Sequence, residues 1–138
     1  MQVVVGQPFA ASETGGRANN EDAIYPAIGQ AARGTGALFV VCDGVGGAER
    51  GEMASALACE ALADGMAATG GRDVQEAVRC AERRFDEYLA THPEAVGMAT
   101  TLTMLAFDRG GGVTVAHIGD SRVYHFRDGR IVFRTEDH

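Results

Sequence analysis

Thr101-Leu-Thr-Met-Leu-Ala-Phe107 and Val113-Thr-Val-Ala-His-Ile118, parted by Asp108-Arg-Gly-Gly-Gly112, decide the fold class together with the stretch that follows them, Val123-Tyr-His-Phe-Arg127-Asp128-Gly129-Arg130-Ile-Val-Phe-Arg134. Each half is a pair of apolar, β-branched or aromatic runs around a short glycine-containing loop, which is the pattern of a hairpin. In the second half the connection is Asp128-Gly129, the dipeptide favoured by a type I′ turn. Strands joined this tightly pair antiparallel, because a parallel crossover needs a dozen residues or more.

Upstream of the hairpins the period changes. Val74, Val78, Ala81, Phe85 and Leu89 follow one another at intervals of 4, 3, 4 and 4, with Arg, Glu and Asp filling the other face, so the spacing predicts an amphipathic helix. Residues 50–69 are rich in Ala, Leu, Met and Glu, with Met53, Leu57 and Ala61 spaced by four and Leu62 and Met66 adjoining. They predict a second helix that Gly70-Gly71 ends.

Ahead of both, Ala37-Leu-Phe-Val-Val-Cys42 is a continuous apolar run after Gly34-Thr-Gly36. It reads as a strand buried on both faces that stops abruptly at Asp43-Gly44. Residues 3–11 and 23–28 read as two further strands, with the polar, glycine-containing residues 12–22 as the loop between them. Strands, two helices, then at least four strands in antiparallel hairpins make an α+β protein rather than a parallel doubly wound sheet.

The 138 residues suffice for one domain, and 46% hydrophobic residues suffice for a core. Twelve basic residues, all Arg, against 19 acidic ones give a net charge of −7, which argues against nucleic acid as the principal partner. Cys42, Cys59 and Cys80 are odd in number and lie in apolar patterns, so they predict buried reduced thiols rather than disulfides or a CxxC metal site. No run of 18 apolar residues offers a membrane span, and the start at Met1-Gln-Val-Val lacks the basic segment and apolar core of a secretory leader. The expected location is the cytoplasm.

The chemistry-bearing residues stand at loop edges: Glu21-Asp22, Asp43 and Asp120. Asp and Asn are ordinary turn residues, and each of these positions alone is open to that reading. Asp43 has the stronger claim, since a carboxylate followed at once by glycine offers a side-chain oxygen and an unobstructed backbone carbonyl to one hard cation. Arg17, four residues before Glu21, is either a solvated surface charge or a planar two-pronged donor for phosphate.

Five segments carry a resemblance: Arg17-Ala-Asn-Asn-Glu-Asp-Ala23, Val41-Cys-Asp-Gly-Val-Gly-Gly47, Gly51-Glu-Met-Ala54, Thr100-Thr-Leu102 and His117-Ile-Gly-Asp-Ser-Arg122. In this order and spacing the chain resembles the metal-dependent protein serine/threonine phosphatases of type 2C, in their bacterial form. The resemblance implies two antiparallel β-sheets flanked by helices, of which residues 1–138 would be the N-terminal portion of one domain, incomplete at the C-terminus. It implies hydrolysis of phosphoserine and phosphothreonine in proteins, including those made by a bacterial Ser/Thr kinase, by a metal-activated water and without a phosphoenzyme.

Residue by residue, Asp43 matches the aspartate that bridges two Mn²⁺ or Mg²⁺ ions, and Gly44 the glycine whose carbonyl binds one of them. Glu21 matches an acid that holds a metal through water, with Asp22 its neighbour behind the ligands. Arg17 matches the arginine that grips the substrate phosphate, and Asp120 an aspartate that helps hold a third, weaker metal. Family members are longer, and two further metal aspartates come from the part beyond the match, so the alternative is a truncated, non-catalytic phosphatase-like binding module. Cys42 adjoins the metal motif but has no CxxxxxR phosphate loop, which argues against a cysteine nucleophile. Ala99 stands where the family has glycine, Val45 where some members have a histidine, and His117 and His125 read as structural.

Overall fold

The computed structural model describes residues 4, 6–30, 37–47 and 49–138. A main sheet holds β1 (Asp22–Tyr25), β2 (Ala37–Val45), β3 (Ala99–Thr100), β4 (Leu102–Phe107) and β5 (Val113–Ile118), and β6 (Tyr124–Arg127) with β7 (Arg130–Arg134) forms a separate two-stranded sheet. The helices are α1 (Glu49–Ala68) and α2 (Val74–Thr91), followed by a 3-10 turn at Pro93–Ala95. All strand pairs are antiparallel, the main order is β1-β2-β4-β5, and β3 extends the far end of β2. The expected α+β arrangement of antiparallel sheets and two helices is the one observed.

Alternation along the strands sets the core. Leu38, Val40 and Cys42 of β2 and Leu102, Met104 and Ala106 of β4 point to one face and pack with Ala58, Cys59, Leu62, Ala63 and Met66 of α1. α2 lies against α1, with Ala77 close over Gly65, where an added Cβ would stand 2.7 Å from the Ala77 Cα. The amphipathic reading of α2 holds, since Val74, Val78 and Phe85 pack on this core. Its first turn is capped by the Asp73 carboxylate, which accepts from the Glu76 N–H at 2.9 Å. α1 ends as expected: Gly70 and Gly71 have φ of 64° and 78°, and their N–H groups donate to Ala67 and Met66 in a Schellman arrangement.

Four expectations need correction. β2 is not buried on both faces: its residues alternate, and Val41 is 46% exposed, because the helices cover one face only. Nor does β2 stop at Asp43; β1 and β3 pair with its last residues, Asp22 opposite Asp43 and Thr100 opposite Gly44, and carry it to Val45. Of residues 3–11, those described form no strand, and Phe9 is 93% exposed, so its apolar character finds no partner layer. The strand expected over residues 23–28 ends at Tyr25, since Pro26 has no N–H to continue a ladder.

Two smaller differences follow from packing. The strand expected over 101–107 is β4, which starts one residue later at Leu102, and the short β3 at Ala99–Thr100 precedes it across Thr101. Met53 of α1 is 40% exposed, while Ala61, Leu62 and Met66 are buried as expected and the small Ala54 and Ala58 complete the inward stripe. Small residues there let α1 approach the sheet closely. Gly34-Thr-Gly36, together with Val3 and Val5 of the expected first strand, lies outside the described residues. The β6–β7 hairpin turns through Asp128 and Gly129 with φ of 51° and 74°, the two positive values of a type I′ turn.

Candidate functional site

The C-terminal end of β2 is the meeting point of the acidic motifs. Antiparallel pairing puts Asp22 directly across from Asp43 on the open side of the sheet. Desolvation pushes the half-buried Asp43 carboxyl above the usual carboxylate range, and Asp22 and the charge of Asp120 push it the same way. Arg17 acts oppositely, its positive charge favouring the ionised form. Three residues from separate places in the chain therefore act on one oxygen pair.

Gly44 is buried and donates its N–H to the Glu21 carbonyl at 3.0 Å. A Cβ at this position would stand 2.4 Å from the Gly51 carbonyl carbon and 2.6 Å from the Glu21 carbonyl oxygen, so only glycine fits. Gly51, in the first turn of α1, is matched in the same way to the Glu21 side chain, whose Cδ would lie 2.9 Å from an added Cβ. The Glu21 carboxylate thus rests against the N-terminal turn of α1, where the helix dipole favours negative charge. Asp22 and Glu21, adjacent in sequence, serve different places: one faces Asp43, the other α1.

The backbone at Asp43 is fixed by Thr100 and Thr101. Its N–H donates to Thr101 Oγ1 at 3.0 Å, and its carbonyl accepts from the Thr101 N–H at 2.9 Å and from Thr100 Oγ1 at 3.1 Å. Thr101 Oγ1 in turn lies 2.7 Å from Ser121 Oγ in the loop that carries Asp120. Asn20 orders the other approach, its Oδ1 accepting the Asp22 N–H at 3.0 Å and its amide donating to Ser12 Oγ at 2.7 Å. The paired threonines were visible in sequence only as part of a motif. A hydroxyl replacing a ladder carbonyl leaves no periodic signal.

Arg17 and Asp120 lie on exposed loops, reached from β1 and β5 respectively. Downstream of Asp120, Arg122 grips Asp137 with two 2.6 Å hydrogen bonds, and Gly119 exchanges hydrogen bonds with His138, each at 3.2 Å. His117 stacks on the His138 ring at 4.6 Å, consistent with its structural reading. Cys42 is fully buried, and a hydrogen bond with Cys59 followed by burial drives its thiol pKa up. It remains a protonated core residue, unsuited to nucleophilic attack.

Whether these groups suit a divalent cation can be judged on the donors. Two carboxyls facing each other across the strands, hard oxygen donors throughout and a glycine pinned beside them match what Mg²⁺ or Mn²⁺ requires. Among the described residues, however, no group of three or more His, Cys, Asp or Glu side chains is arranged to hold a metal. The residues fit as part of a ligand set.

The comparisons agree with this picture. The family profile of protein phosphatase 2C matches residues 11–138. The serine/threonine protein phosphatase PstP of Mycobacterium tuberculosis is 37% identical over 125 residues, which cover 88% of this chain and 23% of that protein. Its crystal structure superposes with a TM-score of 0.71 at 38% identity, over 88% of this chain and 49% of that one. The PstP catalytic domain in complex with two manganese ions gives a TM-score of 0.66 at 38% identity, over 83% and 48% of the two chains. A PPM Ser-Thr phosphatase from Mycobacterium smegmatis, MsPP, in complex with cacodylate gives 0.65 at 40% identity, over 83% and 46%. The chain thus spans about a quarter of the curated relative and about half of the solved structures. With its motifs, its antiparallel sheets and the family match over nearly its whole length, the chain belongs to the protein phosphatase 2C family.

Proposed function

We propose that residues 1–138 form the N-terminal portion of a domain that hydrolyses phosphoserine and phosphothreonine in proteins with Mn²⁺ or Mg²⁺. The observation that carries this reading is the convergence of Asp22, Arg17 and Asp120 on the Asp43 carboxyl. Asp43 and the Gly44 carbonyl would hold the cations, with Glu21 acting through water, Asp22 supporting Asp43 across the strands and Asp120 serving a third, weaker ion. A divalent cation bound there supplies Lewis acidity, which acidifies water and offsets charge on the phosphoryl oxygens.

The chain's own residues do the rest. Arg17 presents a fork of N–H donors that suits two phosphate oxygens and holds the phosphoryl group against the acidic cluster. The acidic groups gathered around Asp43 present concentrated negative charge to a cation. The Thr100 and Thr101 contacts keep Asp43 in place. Phosphoproteins made by a Ser/Thr kinase are the substrate class, and three free thiols suit a reducing, cytoplasmic setting. No helix among the described residues is long and apolar enough to cross a membrane.

A second reading, a phosphatase-like module that binds phosphopeptide without turning it over, is favoured by one observation: the described residues include no complete cluster of metal ligands. Phosphate release from a phosphothreonine peptide, with and without Mn²⁺, separates the two. Mn²⁺-dependent release that Asp43→Asn abolishes supports the enzyme. Saturable peptide binding with no release supports the module, and neither activity would sink both.

A further inference from the structure

We infer that the Thr101–Ser121 hydroxyl pair is the positioning element of the acidic site, locking the backbone of Asp43 to the loop that carries Asp120. The inference rests on the proposed reading of these two aspartates as cation ligands. They come from positions far apart in the chain; the ladder carries Val41 across Thr103 to His117 and so brings the ends of β2 and β5 near each other, and the hydroxyl pair extends that link beyond the last ladder pairs to Asp43 and the loop after β5.

The link is built at Thr101. In a regular antiparallel ladder the Asp43 N–H would meet a backbone carbonyl; here it meets Thr101 Oγ1 at 3.0 Å. The same oxygen lies 2.7 Å from Ser121 Oγ, and a hydroxyl has the one proton and two lone pairs that both contacts need. A second strut runs alongside, from Thr103 Oγ1 to the Ser121 carbonyl at 3.3 Å. The Thr101 methyl closes the joint from below, since a Cβ on Gly119 would stand 2.9 Å from its Cγ2.

Thr101 and Thr103 are both buried, so water does not replace a lost contact there. The break between β3 and β4 falls at this residue, where the side chain takes over a backbone role. Groups behind metal ligands commonly change metal affinity by about 10–100-fold when removed, although they touch no ion.

The experiment compares the 138-residue chain with Thr101→Val, Thr101→Ser, Ser121→Ala and Asp43→Asn, each checked for cooperative melting. Mn²⁺ alone is titrated calorimetrically, and amide exchange at Asp43 is followed by NMR without metal. Thr101→Val and Ser121→Ala are expected to weaken Mn²⁺ binding roughly 10–100-fold and speed exchange at Asp43, while Thr101→Ser, which keeps the hydroxyl, stays close to the unaltered chain. A purely structural threonine would lower the melting temperature in both Thr101 variants and leave the affinity of the folded protein unchanged. That result, or an Asp43 amide indifferent to Ser121→Ala, overturns the inference. Failure of the underlying reading looks different: Asp43→Asn would bind Mn²⁺ as well as the unaltered chain, or neither would bind. The exchange measurement then still decides whether the lock exists.

Discussion

The two sides of β2 are made by the same nine residues and do opposite things. Leu38, Val40 and Cys42 face α1 and are almost wholly buried, whereas Phe39, Val41 and Asp43 face the uncovered side, where Val41 keeps 46% of its exposure. Hydrophobic burial on the first side holds the strand rigid. The second side can therefore carry a carboxyl pair whose mutual repulsion would disturb a less firmly held element. Stability and charge are separated by the two-residue period of a strand, and substitutions should separate in the same way.

The largest effect is expected on the helix side. Met104, fully buried beneath α1, should cost about 2–5 kcal/mol when truncated in Met104→Ala, while Val41→Ala on the open side should cost far less. Urea denaturation of the two variants checks this, and equal losses would mean that the open side is covered in solution. Gly44→Ala comes next, at roughly 1–3 kcal/mol, because its new methyl would meet backbone atoms of Glu21 and Gly51 that cannot turn aside. Gly51→Ala meets only the movable Glu21 carboxylate, so it should destabilise less than Gly44→Ala while displacing that side chain. The reverse order of stabilities would show that the Glu21 side chain, not the Gly44 backbone, is the tighter fit.

Much of this architecture was legible in the sequence, for local reasons. The Asp128-Gly129 turn, the 3.6-residue spacing of α2 and the glycine end of α1 are each determined by neighbours in sequence. What escaped depends on partners elsewhere. Residues 6–11 look like strand material yet have no strand to pair with among the described residues, and Val41 looks like core until the helices are seen to lie on one side only. The acidic positions could be named from their motifs. Their pairing could not, since Asp22 faces Asp43 only through the register of β1 on β2. Thr101 and Ser121 show no role in the sequence because a side chain that takes over a backbone hydrogen bond follows no period.

Charge on the open side should move binding while leaving folding nearly untouched. Arg17 is exposed, and Arg17→Ala should change stability by no more than about 0.5 kcal/mol. Its loss should nevertheless weaken capture of a phosphothreonine peptide by roughly 10-fold or more, the scale of a hydrogen bond to a charged group. Fluorescence anisotropy with a labelled peptide measures the one and thermal melting the other. A large fall in stability with unchanged peptide binding would make Arg17 a structural partner of the acidic cluster and remove it from phosphate recognition.

The smallest effect is expected where neither side of β2 is involved, at the Arg122–Asp137 pair. Hydrogen bonds from Arg122 hold the Asp137 carboxyl below the usual carboxylate range. A carboxyl with a lower pKa folded than unfolded contributes stability above its unfolded value of about 3.9, and that contribution is lost as pH falls through the folded value. Both side chains are well exposed, so solvent screens the pair and the global melting temperature should respond little to Asp137→Asn. The local signal should respond strongly: the Arg122 Nε–H, held at 2.6 Å by the carboxylate, should be protected from exchange at neutral pH and lose that protection only in acid. In Asp137→Asn the protection should be absent at every pH. Protection that persists in that variant would assign the Arg122 donor to another acceptor, and a melting temperature that falls as far as in Met104→Ala would show that exposed ion pairs, and not the helix-covered side of the sheet, hold this fold together.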